Sequence, residues 1–299
     1  MTSYVLTLIG NADSVPLEPV HIERVFQCLG LQGRIDWLAE REACDLFFNS
    51  RLSAEVITKK TRDVLSGSTI DAVCTLIEGR RKKILISDMD STVINQECIN
   101  ELADAMGLGL QISEITASVI QGNISFSEAL RKRLELMKGM EEKFLATVYE
   151  ERITLKPGAR TLVRTMSHHG AFCVLVSGGF TYFTNRIASR LGFHDHHGNE
   201  LIFKDGKLTG EAKNPILGRS AKLNTLMSVC DDKGLKLVDV LAVGDGANDI
   251  KMIEAAGLGV AFHDDTGSLR KQANAQIEYT DLTALLYIQG FRKPEFVFT

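Results

Sequence analysis

The chain has 299 residues, 44% of them hydrophobic and 24% charged, with a formal net charge of −4. That length suggests about two domains, with enough apolar material for a sizeable core. The acidic balance argues against broad attraction to nucleic acid or anionic lipid, and no apolar run approaches the roughly 20 residues that span a bilayer.

Met1-Thr2-Ser3-Tyr4-Val5-Leu6 has no basic segment ahead of its apolar run and does not read as a secretory signal. Residues 1 to about 80 then have their own rhythm. Tyr4 to Ile9 reads as a strand, Glu18 to Leu29 as an amphipathic helix, and Arg34 to Ala39 and Cys44 to Asn49 as adjacent strands. Ser53 to Ser66 reads as a second helix and Thr69 to Ile77 as a last strand. The order βαββαβ predicts a split, ferredoxin-like domain. Trp37, the only tryptophan, is assigned to core or domain interface. Glu78-Gly79-Arg80-Arg81-Lys82-Lys83 reads as a linker and a solvated basic turn.

From residue 84 strands and helices alternate. Strands are expected at Lys83–Ser87, Phe172–Val176, Val238–Val243 and Gly259–Phe262, with helices at Ala159–His168, Phe180–Leu191, Ser220–Asp231 and Asp249–Ala256. Such alternation predicts an α/β unit, a parallel sheet with helices on both faces. A helical insert, roughly residues 97 to 154, is too long for an ordinary loop. It follows the first strand directly, where it can act as a lid. Asp205-Gly206 between apolar flanks predicts a hairpin. His194-Asp195-His196-His197 lacks metal-ligand spacing and reads as a polar loop. The six cysteines have no CxxC spacing, which fits reduced thiols in a cytoplasm.

Three strand ends carry chemistry. Ile84-Leu85-Ile86-Ser87 runs into Asp88-Met89-Asp90-Ser91-Thr92. Alternate residues on an extended strand share a side, so Asp88 and Asp90 can face one site, and they repel unless a cation or shared proton compensates. Val174-Leu175-Val176 runs into Ser177-Gly178-Gly179 ahead of a helix, where a close backbone and free helix amides suit a phosphate. Val243-Gly244 runs into Asp245-Gly246-Ala247-Asn248-Asp249, where Asp245 can ligate a hard cation. Lys222 lies between the last two. Alone, each is an ordinary turn, cap or surface lysine. Together they supply a carboxylate nucleophile, an acid, a phosphate cradle, a neutralising lysine and a metal site, the set that phosphoryl transfer through an aspartyl phosphate requires.

These segments, DMDST, SGG, Lys222 and GDGAND, resemble the four motifs of the haloacid dehalogenase-like phosphohydrolases and, within them, the phosphoserine phosphatases. The match runs over about residues 84 to 290. Met89 stands where the commoner form has Phe, apolar for apolar. The resemblance implies a Rossmann-like core over 84–299, a helical cap at about 97–154 and a hairpin flap at about 198–213. It implies that Asp88 is the nucleophile and Asp90 the general acid and base, with Mg²⁺ held by Asp88, the Asp90 carbonyl and Asp245. Ser177, the Gly178 amide and Lys222 would hold phosphate, with Asn248 orienting substrate and Gly179 and Asp249 in support. Glu97 matches the glutamate that meets the substrate amino group, and Arg133 the arginine that binds its carboxylate. The implied activity is Mg²⁺-dependent hydrolysis of O-phospho-L-serine, the last step of serine synthesis, in the cytoplasm. The N-terminal block resembles ACT-like domains by element order alone, which suits amino-acid sensing or pairing into a homodimer. Phosphoryl transfer to another hydroxyl such as homoserine, or amino-acid sensing with residual activity, stand as alternatives.

Overall fold

The computed structural model describes residues 1–12 and 14–299. The N-terminal strands are β1 (Thr2–Ile9), β2 (Arg34–Ala39), β3 (Ala43–Ser50) and β4 (Asp71–Leu76), and its helices α1 (Pro19–Leu29) and α2 (Ala54–Val64). They form an antiparallel sheet of order β2-β3-β1-β4. Pro19 opens α1, where its missing N–H costs nothing, and left-handed Gly30 closes it. Ser53 caps α2 by accepting from the Val56 amide. Ile22, Val25 and Ile57 bury the inner faces of the helices on Leu6, Leu8 and Leu46 of the sheet.

The second unit holds β5 (Ile84–Ser87), β6 (Phe172–Phe180), β7 (Asp195–Asn199), β10 (Val240–Gly244), β11 (Leu258–Phe262) and β12 (Ala275–Ile277). All pair in parallel, in the order β12-β11-β10-β5-β6-β7. Helices α7 (Ala159–His168), α8 (Thr181–Leu191) and α11 (Ala284–Ile288) belong to the core on one face. Helices α9 (Arg219–Lys233) and α10 (Ile250–Ala255) cover the other. Burial on both faces explains why the central strands read as unbroken apolar runs.

Between β5 and β6 lie α3 (Cys98–Ala105), α4 (Gly109–Ile120), α5 (Phe126–Leu136) and α6 (Lys143–Arg152). Ser125 and Glu128 form a reciprocal capping box that starts α5. Strands β8 (Leu201–Lys204) and β9 (Lys207–Ala212) form the hairpin, turning through Asp205 and Gly206, both at positive φ. The hairpin is fastened to the insert by Gly139 N to Leu208 O, Leu208 N to Met140 O and Glu142 N to Gly206 O.

Two expectations need correction, and two elements were missed. Residues 195–199 are strand β7, not a loop. It is an edge strand, so one side of each residue meets water or a polar neighbour, and His196 is held by Thr184 and Asn185. The basic turn is not simply solvated, because Arg80 inserts between the two units. Its guanidinium meets both Asp45 oxygens (2.5 and 2.7 Å), Thr7 Oγ1 and the Tyr287 and Ile288 carbonyls. Strand β12 and helix α11 were not foreseen. Ile9, Leu38, Ala43 and Val73 of the N-terminal sheet join the same apolar cluster as the α/β core, so that sheet is covered on both faces. Among the described residues no helix is long and apolar enough to cross a membrane.

Candidate active site

The carboxyl ends of β5, β6 and β10 meet at one cavity of about 1050 Å³, roofed by α3 to α5 of the insert. Asp88, Asp90, Glu97, Arg133, Ser177, Gly178, Gly179, Asp245 and Asn248 all line it. The sheet order explains the meeting. β5 lies between β6 and β10, so their following loops flank the one after β5.

Asp88 is 4% exposed and Lys222 2% exposed, and the lysine Nζ sits 2.7 Å from Asp88 Oδ1 and 2.6 Å from Asp249 Oδ1. Burial alone would lower the Lys222 pKa, but Asp249 and Asp88 outweigh it and hold the ammonium above its usual value. Asn248 Nδ2 donates to Asp88 Oδ2 at 3.3 Å, and the Met89 amide donates to Asp88 Oδ1 at 2.7 Å. Asp249 begins the turn into α10 and also accepts from the Gly246 amide.

Asp90 accepts from the Cys98 amide at the start of α3 (2.8 Å) and from Ser177 Oγ (3.0 Å). Its pKa is raised, first by burial and then by Asp88, against those hydrogen bonds. A Cβ on Gly179 would lie 3.0 Å from both Asp90 Oδ2 and Ser177 Oγ, so glycine is what lets this loop close on the acid.

Asp88, Asp245 and Asp249 bring carboxylate oxygens within 4.8 Å of one another. Burial, then Asp88, pushes the Asp245 pKa up to about 7. Burial, then Asp88, likewise takes Asp249 to about 8. A group of hard oxygen donors, acidic beyond what Lys222 can balance, fits a divalent cation such as Mg²⁺.

The roof supplies the remaining charges. Glu97 occupies the cap position of α3, yet its side chain does not cap the helix. It accepts from Ser91 Oγ at 2.9 Å and lines the cavity, with its pKa pushed up to about 8 by burial and then by Asp90. Arg133, on α5, donates from Nη2 to Thr116 Oγ1 at 2.8 Å, while its buried Nε has no hydrogen-bond partner among the described residues. An unpaired guanidinium N–H in a polar cavity is an unused recognition group.

Several participants escaped the sequence reading. Thr92 Oγ1 donates to Asp245 Oδ1 at 3.0 Å, tying the first acidic loop to the third. Ser91, at φ 57°, turns the chain so that its hydroxyl reaches Glu97. Phe126 of α5 lies over two loop glycines, 2.9 Å from a Cβ on Gly178 and 3.4 Å from one on Gly218. Thr92 and Ser91 stood inside the quoted motif; nothing in sequence spacing points to Phe126.

Comparison with known proteins agrees with this architecture. The family model described as haloacid dehalogenase-like hydrolase matches residues 85–254. A phosphoserine phosphatase of Archaeoglobus fulgidus is 43% identical over 184 residues, 62% of this chain and 53% of that protein, so the chain matches about half the length of that relative. One of Albidiferax ferrireducens is 40% identical over 209 residues, 68% of this chain and 88% of that protein. Among solved structures, a haloacid dehalogenase family hydrolase of Salmonella enterica serovar Typhi superposes with TM-score 0.87 at 25% identity, covering 96% of this chain and 98% of the other. A phospho-aspartyl intermediate analogue of a phosphoserine phosphatase superposes with TM-score 0.64 at 37% identity, covering 69% and 98%. The chain belongs to the haloacid dehalogenase-like hydrolases, and both relatives named above are phosphoserine phosphatases.

Proposed function

We propose that the chain is a Mg²⁺-dependent phosphoserine phosphatase, hydrolysing O-phospho-L-serine to L-serine and phosphate through an aspartyl phosphate, as the last step of L-serine biosynthesis in the cytoplasm. The observation that carries the reading is the shared cavity. Glu97 and Arg133, from the roof, face the same space as Asp88, Asp90 and Ser177 from the strand ends. An ammonium, a carboxylate and a phosphate on one small molecule each find a complement there, and Arg suits the carboxylate through its two-pronged fork.

Asp88 attacks the phosphorus, and the bonding pair leaves with the seryl oxygen. Asp90, whose carboxyl group burial and Asp88 push toward the protonated form, gives that oxygen its proton. Water then loses a proton to Asp90 and attacks the phosphorus, restoring the Asp88 carboxylate and releasing phosphate. Lys222, Ser177 and the Gly178 amide hold the phosphate oxygens, Asn248 orients the substrate, and Asp249 holds Lys222. Bound Mg²⁺, on the Asp88 carboxylate, the Asp90 carbonyl and Asp245, would supply Lewis-acid polarisation and offset charge between nucleophile and phosphate. Residues 1–80 form the regulatory or dimerising domain in this reading and 84–299 the phosphatase, with 97–154 as cap and 198–213 as flap.

The test is phosphate release from a panel of small phosphomonoesters, with Mg²⁺ or with a chelator, and with homoserine as an added acceptor. Phosphoserine should turn over fastest, only with Mg²⁺, and without formation of a phosphorylated acceptor. Arg133→Ala should raise KM for phosphoserine by about tenfold or more while sparing esters without a carboxylate. No release from phosphoserine would refute the assignment.

A further inference from the structure

We propose that Asn199 is a positioning residue of the phosphate site. It fixes the Gly178–Gly179 peptide, and through it the Ser177 hydroxyl, while joining this loop to the one that leads into Lys222. The inference rests on the phosphoryl-transfer reading above.

Strands β6 and β7 stop pairing after Val176 and His197 and resume at Phe180 and Asn199. The residues passed over are Ser177, Gly178 and Gly179. Asn199 is only 2% exposed, and its side chain bridges that gap. Nδ2 donates to the Gly178 carbonyl at 2.8 Å and the Leu217 carbonyl at 3.2 Å, and Oδ1 accepts from the Leu217 amide at 2.8 Å. The Gly178 oxygen and the Gly179 N–H belong to one rigid peptide plane, so holding the oxygen aims the N–H. That N–H donates to Ser177 Oγ at 2.8 Å. The serine oxygen thus holds an incoming proton, and its own proton points to Asp90 Oδ2 at 3.0 Å. Hydrogen bonds in such a series polarise one another.

Gly198 makes the bridge possible. A Cβ there would lie 3.1 Å from the Thr181 amide and 3.2 Å from the Gly179 oxygen, so any larger residue would push β7 back by a few tenths of an ångström. On the far side, Leu217 precedes Gly218, the residue that opens α9 with Lys222. One amide group therefore sets the serine loop against the lysine helix. Loss of the amide removes the donor to two half-buried carbonyls.

The test uses Asn199→Asp, which keeps the shape and the acceptor for Leu217 but removes both donors. Turnover is measured on phosphoserine and p-nitrophenyl phosphate, beside thermal melting. The expected result is a kcat about 30-fold lower with KM within about threefold, because a misaimed group costs rate before affinity. Asn199→Ser, uncharged and one atom too short for either carbonyl, should show a similar loss without setting an acid against them. In a Ser177→Ala background the Asn199→Asp loss should shrink to under about threefold, since partners in one network are not additive. Equal losses in both backgrounds, an unchanged kcat, or failure of both Asn199 variants to fold would overturn the proposal. Wild-type protein that cleaves the aryl ester but not phosphoserine would sink the substrate assignment alone, leaving the cycle to run on the aryl ester.

Discussion

Two sets of buried carboxylates in this molecule are treated in opposite ways. Between the N-terminal sheet and the α/β core, Asp45 takes both prongs of Arg80 and a Thr7 hydroxyl. Asp71 takes four donors, the amides of Glu278, Tyr279 and Thr280 and the Thr280 hydroxyl. At the strand ends, Asp88 and Asp249 share the single ammonium of Lys222, while Asp245 and Asp90 are met by fewer neutral donors than the four at Asp71. A buried acid with its own full complement of donors is a fastener. Acids that share too little positive charge leave room for a cation and a reacting phosphate.

Breaking the comparison at its chemical end should have the largest effect. Asp88→Asn should lower kcat by about 10⁴-fold or more, the scale of losing a covalent nucleophile, with the melting temperature within a few degrees of wild type. Full activity in that variant would end the nucleophile assignment. At the structural end, Arg80→Met leaves buried Asp45 with the Thr7 hydroxyl but without its guanidinium and should destabilise the protein by about 3–5 kcal/mol in chemical denaturation, leaving the turnover of folded molecules intact. A loss below about 1 kcal/mol, typical of exposed pairs, would show that the two sets do not differ in kind.

A smaller effect tests the charge deficit at the strand ends; Asp71, its pKa also raised by burial, shares the pH trend but not the rescue by Mg²⁺. The folded pKa values of Asp245 (about 7), Glu97 and Asp249 (both about 8), raised chiefly by burial, lie above the unfolded carboxylate range near ~4. The folded state therefore holds more protons in that window. The stability these groups contribute is complete below ~4 and is lost as pH rises through 7 to 8. Metal-free protein should melt at lower temperature at pH 8 than at pH 5, and Mg²⁺ should restore most of the difference at pH 8. Identical melting at both values, with chelator present, would contradict the charge deficit.

How legible each part was follows from where its information lies. Buried central strands must be apolar, and their chemistry sits at their carboxyl ends, so the loops after β5, β6 and β10 could be picked out from Ile84–Ser87, Val174–Val176 and Val240–Val243. Edge strand β7 was missed because an edge tolerates Asp195, His196 and His197. Arg80 was misread because a basic run looks the same in water or against a buried Asp45. Glu97 and Arg133 could be named only through the family resemblance; as helix charges they read as surface. Asn199 could not be found by spacing at all, since its partners Gly178 and Leu217 lie about 20 residues away on either side.

The order of acids, glycines and lysine along the chain was enough to propose phosphoryl transfer, because residue chemistry and strand-end placement are local properties. Which carboxylates are short of positive charge, which arginine on the cavity wall keeps an unpaired Nε among the described residues, and which asparagine holds two loops in register were decided only in three dimensions. Those are properties of neighbours brought together by sheet order and packing, and a linear pattern does not record them.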